Sequence, residues 1–285
     1  MSESDAEIVF EEGISFAFGK TITRVFPKAM NLSEIIIQAT MGALSGGASG
    51  NYIANSAIES ITMRINGKEA VIYNGTSGIA GQISMGIAVL REFYYQMHGV
   101  AMPDENTIIE LPDAIPKNND VQIIIKLAEN ITSIQTLGGD RTTLAASTID
   151  IKYKANDKLK GVVLVPYINW TMYSHGARTG NLPEYLPTLT EPLRKLIMIT
   201  HDGNTLSNST YDRLTISKGN KNLFDNSIAD FRRNQAQKSR VANSTGFLMI
   251  SFPSGLKVPA STLKLNFYAG TAGTAKYVHV GWLAY

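Results

Sequence analysis

Residues 58–74 read Ile58-Glu59-Ser60-Ile61-Thr62-Met63-Arg64-Ile65-Asn66-Gly67-Lys68-Glu69-Ala70-Val71-Ile72-Tyr73-Asn74. Ile61, Met63 and Ile65 alternate with Thr62 and Arg64, so a strand here carries one apolar face and one wet face. Asn66-Gly67 then supplies two residues that accept positive φ, as a tight hairpin requires. The pattern predicts strands over 57–65 and 70–73 joined by that turn. Beyond it, Ile79, Ile83, Ile87, Leu90, Tyr94 and Met97 recur every three or four residues. That stripe, after a Thr76 placed to cap it, predicts a helix of about five turns from Ser77 to Met97.

The same arrangement returns 153 residues later. Arg213-Leu214-Thr215-Ile216 leads into Gly219-Asn220-Lys221 and then a second, shorter stripe, Phe224, Ile228 and Phe231. This predicts a helix over 222–233, with Asp225 in its first turn and Arg232 and Arg233 in its last, as the helix dipole favours. Val121 to Ile125 resembles Leu263 to Phe267, and the trio Ile149, Ile151, Tyr153 is echoed by Val278, Val280, Trp282. Each half therefore reads as several strands, a turn, a helix and further strands, the layout of an internal duplication, with coincidental resemblance among short β segments as the alternative reading. The polar stretch Ala155 to Lys160 separates the halves, giving domains at 1–157 and 158–285.

Working outward, period two or short β-branched runs predict further strands over 14–25, 34–41, 107–111, 120–127, 131–136 and 148–153 in the first half. In the second half they predict strands over 161–166, 169–173, 193–200, 211–217, 247–252, 262–268 and 277–283. Pro, Gly and Asn punctuate the gaps. The chain is mainly β. Two domains of this size with about eight strands each suit sandwiches or jelly rolls. The Gly-rich run from Gly42 to Gly50 reads as a flexible loop.

Composition narrows the function classes. A chain of 285 residues with 44% hydrophobic and 18% charged residues is neither disordered nor a bundle of membrane spans. The uncharged stretches 35–58 and 71–90 are broken by glycine and polar residues that lipid would leave unpaired. Twenty-six basic against 24 acidic side chains leave +2, too little field for a dedicated nucleic-acid binder. The absence of cysteine removes disulfides, thiolate metal sites and thiol nucleophiles. Met1 to Glu12 is acidic and lacks the basic region of a secretory signal, so export by that route is not expected.

No constellation here carries catalysis. His98, His175, His201 and His279 have no partner at metal-pair spacing, and nucleophile-elbow, phosphate-loop and zincin motifs are missing. Glu110, Asp113, Glu184, Glu191 and Asp212 are scattered acids that read as surface charge, although two acids remote in sequence can still face each other across a cleft. Asp104, Glu105 and Asp140 are oxygen ligands without calcium-loop spacing, which leaves metal binding open. The basic group Arg232, Arg233, Lys238 and Arg240 reads as a solvated helix end, or as a contact with a neighbouring subunit, lipid head groups or packaged genome. Trp170, Tyr173 and Tyr185 suit core, interface or sugar stacking. No catalytic residue and no cofactor is expected.

The order strand, Asn66-Gly67-Lys68 turn, strand, helix, strands, followed by Leu182-Pro183, by Pro192-Leu193-Arg194-Lys195-Leu196-Ile197-Met198-Ile199 and by Asp225-Asn226 to Phe231, resembles the double jelly-roll major capsid proteins. The compact members from tailless, icosahedral, membrane-containing bacteriophages, of the corticovirus and finnlakevirus type, are the most similar. The resemblance implies two tandem eight-stranded jelly rolls, each with a helix between its central strands. It also implies homotrimers that form pseudo-hexagonal capsomers and tile an icosahedral shell around an internal membrane. Expected partners are neighbouring capsomers, vertex (penton) and minor capsid proteins, and a nearby lipid membrane, without sequence-specific nucleic acid. The expected location is the virion, after synthesis in the host cytoplasm. The acidic Ser2 to Glu12 stretch suits anionic lipid poorly as an anchor. The alternative from composition alone is a carbohydrate-binding or glycoside-hydrolysing β-sandwich.

Overall fold

The computed structural model describes residues 7–29, 31–40, 44–45, 57–74, 85–103, 105–129, 143–144, 147–155, 167–174, 179–182, 193–202, 205–239, 243–252, 263–270 and 276–284. The chain divides into two compact units, Met1–Pro166 and Tyr167–Tyr285. The polar junction at 156–160, the expected strands over 131–136 and 161–166, and the first part of the expected long helix, 77–84, lie outside the described residues.

The first unit runs β1 (Glu7–Ser15), β2 (Thr21–Val25), β3 (Leu32–Thr40), β4 (Leu44–Ser45), β5 (Ile58–Ile65), β6 (Lys68–Asn74), α1 (Met85–His98), β7 (Asn106–Ile115), β8 (Val121–Leu127), β9 (Thr143–Leu144) and β10 (Thr148–Ala155). Its sheets are β1-β10-β3-β7 and β2-β8-β5-β6, with β4 paired to β9. The second unit runs β11 (Tyr167–Ser174), β12 (Gly180–Asn181), β13 (Leu193–Asp202), β14 (Thr205–Leu206), β15 (Tyr211–Lys218), β16 (Lys221–Ser227), α2 (Ile228–Ser239), β17 (Phe247–Ser251), β18 (Leu263–Ala269) and β19 (Lys276–Ala284). Here the sheets are β11-β19-β13 with β17 on β13, and β12-β18-β15-β16, while β14 lengthens the edge of β13.

Numbering the eight principal strands of each unit in chain order, both units give sheets 1-8-3-6 and 2-7-4-5, with the helix between strands 5 and 6. Each unit is a jelly roll. The three echoes in the sequence fall on equivalent strands: β5 with β15, β8 with β18, and β10 with β19. Their offsets are 153, 142 and 129 residues, so the second unit has reached the same plan with shorter connections.

Two expectations change. Residues 14–25 are not one strand, because the chain turns at Phe18-Gly19, with Gly19 at φ 69° and its amide bonded to the Ala128 carbonyl at 2.9 Å. β1 starts earlier, at Glu7, and register shifts on either side of Glu11 blur its alternation. Likewise residues 222–227 are strand β16, and the helix starts only at Ile228. Ser227 caps it: its hydroxyl accepts from the Asp230 amide at 3.1 Å and donates to the Asp230 carboxylate at 2.7 Å. Asp230, not Asp225, is the acid in the first turn. Within the Gly42 to Gly50 run, Leu44–Ser45 is a short strand on β9.

The cores follow the alternation. Val121, Ile123, Ile125 and Leu127 of β8 point inward opposite Ile65, Met63, Ile61 and Ile58 of β5, all essentially unexposed. Phe10, Phe26 and Tyr153 close one side of this core, with Phe10 stacked on Phe26 at 5.1 Å. In the second unit Leu263, Leu265 and Phe267 of β18 meet Leu214, Ile216, Leu196 and Met198. The third strand of each unit is buried on both faces. Ile35 and Ile37 face the first core while Ile36 and its partner Ile108 on β7 are buried on the far side. On β13, Leu196 and Met198 face the core, and Ile197 and Ile199 lie on the other face with Met249 and Phe247 opposite them, again buried. Burial of both faces explains the unbroken apolar runs Ile35-Ile36-Ile37 and Leu196 to Ile199.

Candidate functional site

Among the described residues no three His, Asp or Glu side chains gather closely enough to hold a metal ion. Asp212, Glu105 and His98 are exposed. Glu110 and Asp113 fall on β7, Trp170 and Tyr173 on β11, His201 on β13 and His279 on β19. His175, Asp104, Asp140, Glu184, Tyr185, Glu191 and Arg240 lie outside the described residues. β19 lies between β11 and β13, so Trp170, Tyr173, His279 and His201 share one sheet, with His279 opposite Met172 and Ile199 and His201 opposite Tyr277. The features the fold does assemble are surfaces, namely the two helices, the outer sheet faces and the turn-bearing ends.

α2 bridges β16 and β17, which are edge strands of different sheets. It is bolted to the chain entering β17 by Arg232, whose guanidinium donates to the carbonyls of Phe247 at 2.5 Å, Asn243 at 2.8 Å and Ser244 at 3.0 Å. The Asn243 amide, buried, also donates to Gln235. Arg232 is therefore a part-buried clamp rather than a member of a solvated basic end. Arg233 keeps the expected character, exposed and, among the described residues, paired with Asp230 one turn back at 2.6 Å. Between α2, β16 and β17 runs an open groove of about 320 Å³ lined by Phe224, Phe231, Met249, Asn226, Asn234 and Gln235 among others. Phe224 and Phe231 meet edge to face at 5.2 Å. They form the stripe seen in the sequence, supplied by a strand and a helix instead of one helix. On α1, Leu90 and Tyr94 pack on the first core as expected. Glu92 is a buried acid that accepts from Gln96 at 2.9 Å and was not singled out in the sequence. Burial also pulls the guanidinium of its neighbour Arg91 below its usual range.

The outer faces of the β2-β8-β5-β6 and β12-β18-β15-β16 sheets are polar ladders. Arg64 reaches Glu69 at 2.7 Å and Gln122 at 3.2 Å, and Lys126 sits between Glu59 and Glu129. In the second unit Arg213 grips Asp225 with two bonds of 2.7 Å, and the Thr215 hydroxyl donates to the same carboxylate at 2.9 Å. The hydrogen bonds from Arg213 and then Thr215 hold the Asp225 carboxyl below its ordinary value of 3.8. A depressed carboxyl adds stability above the unfolded value, and that stability is lost as pH falls through the folded one. Asp225→Asn is accordingly expected to be less stable than the parent in neutral urea melts, with the gap closing in acid. An equal gap at both pH values would contradict the pairing.

At one end of the first unit three turns are stitched together. Asn66 (φ 49°) and Gly67 (φ 80°) form the turn between β5 and β6. The Asn66 amide nitrogen of the backbone donates to the Asp120 carbonyl, the Asp120 amide donates back to Asn66 Oδ1, and Asn66 Nδ2 donates to Asn119. Asn118 donates to the carbonyl of Lys28, which brings in the turn after β2. Lys28, Lys68 and Lys117 are all exposed there. The equivalent turn of the second unit carries Lys218 and Lys221 as direct cross-strand partners, both exposed.

No protein-family model matches the chain, and no curated protein matches it in sequence. Solved structures do match in fold. The major capsid protein P2 from bacteriophage PM2 superposes with TM-score 0.61 at 9% identity, covering 98% of this chain and 97% of that one. The chain carries the double jelly-roll fold. Two further double jelly rolls superpose similarly. One is from the Sulfolobus turreted icosahedral virus structure, with TM-score 0.63, 10% identity and coverage of 98% and 90%. The other is from the PBCV-1 virus capsid, with TM-score 0.58, 12% identity and coverage of 98% and 92%. Among the described residues no helix is long and apolar enough to cross a membrane. In double jelly-roll terms α1 and α2 are equivalent elements, each joining the fifth strand to the sixth.

Proposed function

We propose that this chain is a viral major capsid protein that acts by assembly and not by catalysis. Three copies, each contributing the jelly rolls 1–157 and 158–285, make a pseudo-hexagonal capsomer of six jelly rolls. Capsomers then tile an icosahedral shell around an internal membrane, beside vertex and minor capsid proteins, in virions built in the host cytoplasm. One observation carries the reading: a single strand order occurs twice in one chain, in a fold shared over nearly full length with solved major capsid proteins. Shells need large self-complementary contacts. The α2 groove, with an aromatic floor and a neutral polar rim, has the chemistry of such a contact.

Native mass measurement tests it. The expected species is a stable trimer, three times 31.0 kDa or about 93 kDa, or a larger assembly. A lone 31.0 kDa species at micromolar concentration would overturn the proposal. If that monomer also bound glycans, it would establish the β-sandwich lectin or glycosidase reading instead.

A further inference from the structure

Among the described residues the exposed lysines, Lys28, Lys68, Lys117, Lys218 and Lys221, fall at the turn-bearing end of each jelly roll. In the first unit the turns after β2, between β5 and β6, and before β8 converge through the backbone bonds of Asn118 to Lys28 and of Asn66 to Asp120. Convergence brings together Lys28, Lys68 and Lys117, which lie far apart in sequence. Of the acids nearby, Glu69 pairs with Arg64 at 2.7 Å, and Asp120, 3.8 Å from Lys28, offsets that one lysine, which leaves the patch charge to Lys68 and Lys117. Lys68 and Lys117 make no ion pair among the described residues. In the second unit Lys218 and Lys221 face each other across the hairpin, with Lys264 of β18 one register step away opposite Ser217. Like charges directly opposed on a hairpin destabilise it. Asp225, on the same hairpin, is held by Arg213. Among the described residues the opposite end of the first unit has the reverse character, with Glu59, Glu105 and Glu129 against Lys20 and Lys126.

We propose that the lysine-bearing turn end of the first unit, with Lys68 and Lys117 beside Lys28, docks on a surface of anionic phospholipid head groups. Charge complementarity supplies the attraction, and each lysine near such a surface strengthens binding by about fivefold. Val25 at the same end is 51% exposed and offers an apolar side chain to the head-group boundary. Duplex or single-stranded nucleic acid fits less well. The arginine nearest the turns, Arg64, is occupied, and the aromatic ring there, Phe26, is 4% exposed and unable to stack on bases. The inference rests on the capsid reading for one thing: many copies in an array convert a weak attachment per chain into firm adhesion.

Vesicle flotation tests it, with native mass recorded on the same samples. The intact chain is expected to float with phosphatidylcholine vesicles containing roughly one third phosphatidylglycerol, not with pure phosphatidylcholine, and to be released by high salt. Lys68→Ala/Lys117→Ala is expected to weaken binding about 25-fold per chain while leaving mass and melting temperature unchanged. Trimers that ignore the anionic vesicles, or Lys68→Ala/Lys117→Ala trimers that bind like the parent, would overturn the inference and leave the capsid reading standing. Tighter lysine-dependent binding to a DNA duplex than to the vesicles would also overturn it, in favour of a genome contact. A monomer that floats in a lysine-dependent way would sustain this inference and remove the capsid reading.

Discussion

Phe267→Ala is expected to unfold the second jelly roll at a temperature well below that of the first, at a cost of about 3–5 kcal/mol to that unit. Phe267 is fully buried on β18, which lies between β12 and β15. Its ring packs on Tyr211 with centroids 5.4 Å apart. The substitution removes a whole ring where well-packed neighbours relax only in part, so the lost transfer energy and the cavity add. Since the units have separate cores, the melt should become biphasic by calorimetry, with the first transition unmoved. On the proposed capsid function, assembly should fail with it, because half of the jelly rolls would be missing. A single transition shifted as a whole would show instead that the two cores unfold as one.

Arg232→Ala is the second large effect. The guanidinium satisfies three backbone carbonyls at the entry to β17, and charged hydrogen bonds of this kind are each worth about 1.5–3 kcal/mol. Water repairs part of the loss at a part-buried site, so a net cost of about 2–4 kcal/mol is expected. Lysine should not rescue it, since one ammonium does not reproduce the planar fork that reaches all three oxygens. Arg233→Ala, one residue along and paired only at the surface, should change stability by less than about 0.5 kcal/mol. Urea midpoints of the two alanine variants side by side measure the contrast. Comparable losses from both would mean that α2 is held by charge in general rather than by this clamp.

These two neighbours show what a sequence reveals and what it hides. The inward sets of β5, β8, β10 and β18 were legible because alternation survives wherever one face is wet. The duplication was legible because equivalent strands kept their apolar partners. β1 was hidden by its bulges, and β16 by a stripe whose two phenylalanines meet from different elements. The role of Arg232 was illegible for a deeper reason, since its partners are backbone carbonyls and carry no signature in residue identity. The lysine ends likewise become visible only when the fold shows which turns converge. Lys28, Lys68 and Lys117 are ordinary surface residues when read along the chain.

The order 1-8-3-6 has a consequence for synthesis. β10, made last in its half, lies between β1 and β3, and β19 does the same between β11 and β13. β8 and β18, the seventh strands, sit equally late between earlier neighbours. While a ribosome is still translating the first half, β1 and β3 wait with open edges for a strand that does not yet exist. Each half locks only when its keystone arrives, so nascent chains in which residues 148–155 have not yet emerged from the ribosome should be far more prone to clump than those in which they have.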